Sequence, residues 1–315
     1  MSTASPVPET YRLTGDDAWE TLRRTGRGKL AVDAFRRLRL SDGTSHGRSL
    51  AFAVTLVVVQ GLIALVGLAS ALGEGQISSL IVRSLQSASP GPSGRVLTQA
   101  VSQAHQASSS GRSTALILGA VGALVTGTIA MGQLERGLNR IYGVERDRPT
   151  GRKYARAFVL AITAGLFASI AFASLAFGRA VADSLESDLA ATLWNTLRWP
   201  VALLLAAASI AALFRWSPNR RQPGWSWLTA GAAVGVALWA VSTLALAWFF
   251  SWSSTFGQTY GPLAGIVALA IWALLSSLAL LYGAAVAAQL EAVRAGDPDV
   301  QDARYDDSRR ATSTV

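Results

Sequence analysis

Residues 222–290 contain no Asp, Glu, Lys or Arg. Drawn out as one helix at about 1.5 Å per residue, those 69 residues would reach roughly 100 Å, some three times the thickness of a bilayer's hydrocarbon core. The whole chain of 315 residues is 51% hydrophobic and only 15% charged, with a mean hydropathy of +0.35, so the run belongs in a membrane rather than in a soluble core. It must fold back once. Its polar, aromatic centre, SWSSTFGQTYG at 251–261, is the natural turn and separates a crossing at 228–250 from another at 262–290.

Upstream, four further apolar segments complete the set. Residues 49–73, 113–134 and 157–178 carry no charge and are long enough to span. In the remaining segment Arg198 is expected at the outer interface with its side chain snorkelling, so that the crossing runs over 199–214 with Pro200 in its first turn. Ala69-Ser70-Ala71 resembles a signal-peptidase site, but 48 residues rich in cations precede the apolar run, and the helix is read as retained. Gly119, Gly122, Ala123, Thr126 and Gly127 make a small-residue stripe that lets another helix approach closely.

The charge pattern orients these spans. Seven Lys/Arg fall in the hinge at 132–156, and with the N-terminal segment, the 215–227 turn and the tail they make 23 of the 28 in the chain. Only Arg83, Arg95, Arg112, Arg179 and Arg198 lie on the other side, so the positive-inside bias places both termini in the cytoplasm. The expected fold is an all-α membrane protein of six transmembrane helices with amphipathic interfacial helices. It divides into a cytoplasmic segment at 1–48, a transmembrane domain at 49–290 and a disordered cytoplasmic tail at 291–315. Residues 1–14 are also expected to be disordered. Asp16 and Asp17 then suit a helix start, and Leu30, Ala34, Phe35 and Leu38 beside Arg36, Arg37 and Arg39 suit a helix lying on the membrane surface. Two more amphipathic helices are expected within 74–112, on the outer face.

Three segments together resemble the YihY/BrkB family of bacterial inner-membrane proteins. They are YGPLAGIVALAIWALLSSLALLYGAAVAAQLE at 260–291, LERGLNRIYGVERDRPTGRKYARAFVL at 134–160, with Asn139, Tyr142 and Arg148 at matching places, and LFRWSPNRRQPGWSWLTAGAAVGVALW at 213–239. Departures are Gln60 near where the family's first span has Pro, and Val286 and Ala288 where Glu and Asn are common. The resemblance implies a six-span protein of the bacterial inner membrane linked to envelope integrity, serum resistance and lipid export. It also implies that the family's old label, ribonuclease BN, is a mistaken assignment.

Chemistry is sparse. Without cysteine there is no disulfide, thiolate metal site or cysteine nucleophile, and His46 and His105 alone cannot close a zinc site. Asp183, Glu186 and Asp188 come nearest to an acidic metal cluster but read as a solvated loop. No catalytic residue, cofactor or metal is expected. Intramembrane polar residues such as Gln60, Thr126, Thr243 and Gln289 are expected to hydrogen-bond between helices, and an ion-coupled pump is disfavoured. The cations flank apolar segments, so the expected partners are membrane lipids with anionic headgroups and not nucleic acid; protein partners and homo-oligomerisation stay open. If the hinge is helical, Leu134, Leu138, Ile141 and Tyr142 share one face, and Arg136, Asn139 and Arg140 lie on another. Arg136, Asn139, Arg140, Arg148 and Arg152 are therefore the candidate headgroup ligands, against the alternative that the charge only sets topology. At the level of function, a protein that moves or organises lipid competes with a non-transporting scaffold.

Overall fold

A computed structural model of the chain describes residues 4–10, 13–71, 109–176, 182, 187–252 and 262–300, and every element among them is helical. The expected outer helices within 74–112, His105, Asp183, Glu186, the 253–261 turn and the tail beyond 300 lie outside the described residues.

Thr14 starts the first helix, α1 (Gly15–Thr25). Its hydroxyl accepts from the Asp17 amide while the Asp17 carboxylate accepts from the Thr14 amide, a reciprocal cap, and acidic and basic residues occupy the first and last turns in the sense the helix dipole favours. Gly26, at φ 82°, ends it. In α2 (Arg27–Leu40) the expected apolar stripe splits. Leu30, Ala34 and Leu38 turn inward to the core, while Val32 and Phe35 stay exposed. The inward face is covered by the last helix rather than by lipid.

Six long helices follow: α3 (Gly43–Ala71), α4 (Ser109–Ile141), α5 (Thr150–Ala176), α6 (Asp188–Trp216), α7 (Trp225–Trp252) and α8 (Pro262–Arg294). Each packs on the next and α8 closes back on α3, so the six form a ring, with α2 docked on α8 and α1 on α7 and α8. Among the described residues, α3, α4, α6, α7 and α8 contain segments long and apolar enough to cross a membrane.

Several boundaries differ from those expected. α6 begins at Asp188 rather than Trp199, because nothing between them breaks a helix and Asp188 supplies an acidic first turn. Pro200 therefore lies inside the helix, and Arg198 is buried, its guanidinium 5.8 Å from the centre of the Trp199 ring. α4 and α8 have 33 residues each, about 50 Å of helix, so both outrun the hydrocarbon core. Glu291 belongs to α8, not to a disordered tail, and Val300 is buried beyond it. Residues 4–10 are packed as well, with Ala4 and Val7 buried and the Val7 amide donating to the Tyr142 carbonyl at 3.1 Å.

Close approach of backbones holds the ring where the sequence supplies small residues. A Cβ on Gly119 of α4 would stand 2.5 Å from the Ala64 amide nitrogen of α3, and one on Gly283 of α8 would stand 2.6 Å from the Gly231 carbonyl of α7. The expected interhelical polar contacts are also made. Thr126 donates to Gln60 Oε1 at 2.8 Å, and the Trp272 indole donates to Thr243 at 3.2 Å. Most of the buried apolar core gathers at one end, where Leu134, Leu138, Ile141, Phe214, Trp227, Leu228 and Leu290 meet. This is the hinge end.

Candidate functional site

The hinge owes its shape to one glycine. α4 ends at Ile141, and Gly143 turns the chain at φ +73°, a conformation disfavoured for residues with a side chain. A Cβ there would meet Pro6 Cα at 2.4 Å, so the turn must be bare for residues 4–10 to cross it. The chain then runs without regular structure to Thr150, where α5 begins.

Two polar clusters are built on this turn. In the first, Arg148 lies 3.1 Å from Glu135 of α4 and donates to the carbonyls of Ser217 and Pro218 at 2.7 and 2.5 Å. Asn139, fully buried, donates to Asp147 Oδ1 and accepts from the Asn219 amide, both at 2.8 Å. Lys153 donates to Asp147 Oδ2 at 3.3 Å, and Asn219 donates to the Arg146 carbonyl at 2.9 Å. Burial on its own would raise the Asp147 carboxyl, but the Asn139 amide and Lys153 outweigh it and hold the group below its ordinary value. The hinge is thereby stitched to the α6–α7 connection.

The second cluster lies under residues 4–10, which form an N-terminal strap across the hinge turn. Arg220 NH2 lies 2.7 Å from Glu291 Oε1, with both side chains almost wholly buried, and the Arg220 guanidinium sits 4.8 Å from the Tyr142 ring centre. Thr10 donates to the same carboxylate oxygen through its amide and its hydroxyl. Arg37 of α2 is buried beside them and donates to Gln289 Oε1 and to the carbonyls of Ser5 and Ile141. Gln289 in turn donates to the Pro298 carbonyl. Burial pushes the Arg37 guanidinium down to about 10, which leaves it charged at neutral pH. Burial first, and the Glu291 charge second, push the Tyr142 phenol up, so it stays protonated. The hydroxyl lies beside Gln222 without closing a hydrogen bond.

The five candidate headgroup ligands therefore part company. Asn139 and Arg148 point inward and are spent on internal contacts. Arg140 is half-buried and donates to the Glu145 carbonyl at 3.3 Å, and Arg136 is half-exposed, 3.8 Å from Asp147. Arg152 is exposed and makes no hydrogen bond or ion pair among the described residues; Arg156, one turn further along α5, is the same. Sequence reasoning missed Arg37, Arg220 and Glu291 as organising groups. Glu291 stands at the end of the family-like final segment, the one signal that could have drawn attention to it. Among the described residues no group of three or more His, Asp or Glu is arranged to hold a metal ion.

The family described as virulence factor BrkB has a model that matches residues 34–307, from α2 through the whole ring. The chain belongs to the BrkB family. It is 25% identical over 263 residues to the putative ribonuclease-like protein YfkH of Bacillus subtilis, covering 82% of this chain and 94% of that one. It is also 28% identical over 199 residues to the membrane protein Mpe_A1422 of Methylibium petroleiphilum, and 28% over 180 residues to a membrane protein of Halorhodospira halophila. These alignments cover 61% and 56% of this chain but only 44% and 39% of those longer proteins. No solved structure matches. Of the three positions read as departures in the sequence, Val286 and Ala288 are buried in the α8 core, where they pack without polar groups, and Gln60 accepts from Thr126 between α3 and α4.

Proposed function

We propose that this BrkB-family protein is a multi-pass protein of the bacterial inner membrane that serves envelope maintenance by moving or organising lipid or another amphiphile without ion coupling. In this reading α5 is the sixth crossing, both termini are cytoplasmic and the hinge end faces the cytoplasm. One observation carries it. The hinge-end cations divide into a set held by internal contacts, Arg37, Arg148 and Arg220, and an exposed set on α5, Arg152 and Arg156, that makes no hydrogen bond or ion pair among the described residues. Exposed cations beside an apolar helix surface suit anionic headgroups. Arg136 and Arg140, half-engaged at the hinge, add to the same field.

A second reading is a non-transporting scaffold, and the bare-backbone contacts at Gly119 and at Gly231/Gly283 favour it, since such packing makes a rigid ring. Transbilayer movement of labelled lipid in vesicles reconstituted with the full chain separates the two. Movement above that of protein-free vesicles is expected. Its absence, with correctly inserted protein, leaves the scaffold. Reporter fusions at either terminus and at residue 222 are expected on the cytoplasmic side; a periplasmic terminus would refute the six-span topology.

A further inference from the structure

A groove of about 760 Å³ opens between the start of α5 and the end of α6. Its α5 wall is a single stripe. Arg152, Arg156, Val159 and Thr163 follow one another at helical spacing, cations first and apolar surface after, over about 16 Å of helix. Trp216, at the end of α6, lines the same groove and is exposed. Two cations followed along α5 by an aliphatic wall, with an aromatic ring lining the same groove, match a phospholipid from phosphate to chain.

The charge in the groove is unbalanced. Arg148 also lines it, but its guanidinium is held by Glu135 and by two carbonyls. Arg152 and Arg156 stand one turn apart, a like-charge spacing that is unfavourable on a helix until an anion bridges it. Burial, and next the neighbouring Arg148, push the Arg156 guanidinium below its ordinary value against the opposing pull of Glu135, whose carboxylate is itself paired with Arg148. The volume lies within the roughly 300–1,000 Å³ common for small-molecule sites.

We infer that this groove binds one anionic phospholipid, its phosphate between Arg152 and Arg156 and an acyl chain along Val159 and Thr163 against α6. The inference rests on the lipid-handling reading and gives it a site. The groove commits to a lipid rather than to a soluble phosphate, because its lower half offers only apolar contact and the Thr163 hydroxyl, which donates to the Val159 carbonyl of its own helix.

Native mass spectrometry of the full chain, released from nanodiscs of mixed phosphatidylglycerol and phosphatidylcholine, provides the test. One retained phosphatidylglycerol per chain is expected, with occupancy falling about tenfold in the R152Q/R156Q double variant. V159W keeps both cations and fills the aliphatic half, and it is expected to lower occupancy as well. Unchanged occupancy in both variants overturns the inference, and so does displacement of the lipid by glycerol 3-phosphate at equal concentration, which would mark a phosphate site only. The vesicle assay is read separately. Lost occupancy with unchanged transbilayer movement upholds the groove and shows that movement does not use it, whereas full occupancy without movement upholds the groove and removes the transport reading.

Discussion

Replacing Arg220 by Met would strand a buried carboxylate. Arg220 and Glu291 are 3% and 0% exposed and their closest atoms are 2.7 Å apart. With charge centres about 4 Å apart and an effective dielectric of about 20, their attraction is about 4 kcal/mol. Removing one member of such a pair typically costs about 3–5 kcal/mol, because the remaining charge loses its compensation while staying out of water. Loss of the guanidinium from the Tyr142 face adds about 1 kcal/mol. Two effects limit the damage: Glu291 still accepts two hydrogen bonds from Thr10, and it can take up a proton. The expected loss for R220M is therefore about 4 kcal/mol. In the R220M/E291L double variant no buried charge remains, and the loss should fall short of the two single losses added by about 3 kcal/mol. Reversible unfolding in mixed micelles, run as a double-mutant cycle on the full chain, measures this coupling. A single-variant loss below about 1 kcal/mol, or strict additivity, would refute the view that the pair clamps strap, α6–α7 connection and α8 together.

Other parts of the fold make their own demands. Gly283→Val puts side-chain carbons where the Gly231 carbonyl stands, and the folded yield measured by fluorescence-detected size exclusion should collapse, while Gly151→Ala, with open space around it, should leave yield unchanged. Gln60→Leu removes the acceptor for Thr126 between α3 and α4 and should cost about 0.6 kcal/mol, and not more than about 1.7 kcal/mol, in micelle unfolding. Gly143→Ala forces a side chain onto Pro6 at a positive φ, which costs about 1–2 kcal/mol before the clash, and limited proteolysis should then cut near residues 4–10. Within the hinge, Asn139→Ala removes the donor to Asp147 Oδ1 and the acceptor for the Asn219 amide and should lower stability by about 1–3 kcal/mol, whereas Arg152→Gln should leave stability within about 0.5 kcal/mol of the parent; equal effects would contradict the division between spent and free polar groups.

What the sequence could and could not reveal follows from the range of each interaction. The stripe from Gly119 to Gly127 was legible because its spacing is local, and any helix that meets it must come close. Apolar length marked the crossings for the same reason, but it reports hydrocarbon thickness and not helix ends, so α4 and α8 continue past the boundaries drawn at Leu134 and Leu290. Arg37 was opaque. Among Arg36 and Arg39 it reads as one more surface cation, and only the meeting of α2, the strap and α8 buries it. Asn139 misled in the opposite direction: a helical wheel set it with Arg136 and Arg140 facing outward, whereas its side chain is buried and bonded to Asn219, eighty positions away. The strap itself has the Ser, Thr and Pro composition of a disordered segment; its apolar anchors are two short side chains, Ala4 and Val7, and the hydrogen bonds that hold it, from Arg37 to the Ser5 carbonyl and from Thr10 to Glu291, come from distant parts of the chain.

The ring is best understood as three helical hairpins, α3–α4, α5–α6 and α7–α8. Each carries a side-chain hydrogen bond between its own two helices: Thr126 to Gln60, the Ser209 hydroxyl to the Ala164 carbonyl, and Trp272 to Thr243. Polar contacts that join one hairpin to the next gather instead at the hinge end. There Asn139 and Arg148 tie the α4–α5 hinge to the α6–α7 connection, and Arg220 ties that connection to α8. In lipid, apolar helix faces gain nothing from hiding from water, so small-residue packing and hydrogen bonds decide which helices stay together. The hinge-end lock thus governs the relation between hairpins, and the deeper bonds govern each hairpin internally. Breaking Arg220–Glu291 should loosen hairpin from hairpin without unzipping any of them, whereas breaking Gln60–Thr126 should loosen one hairpin and leave the lock closed.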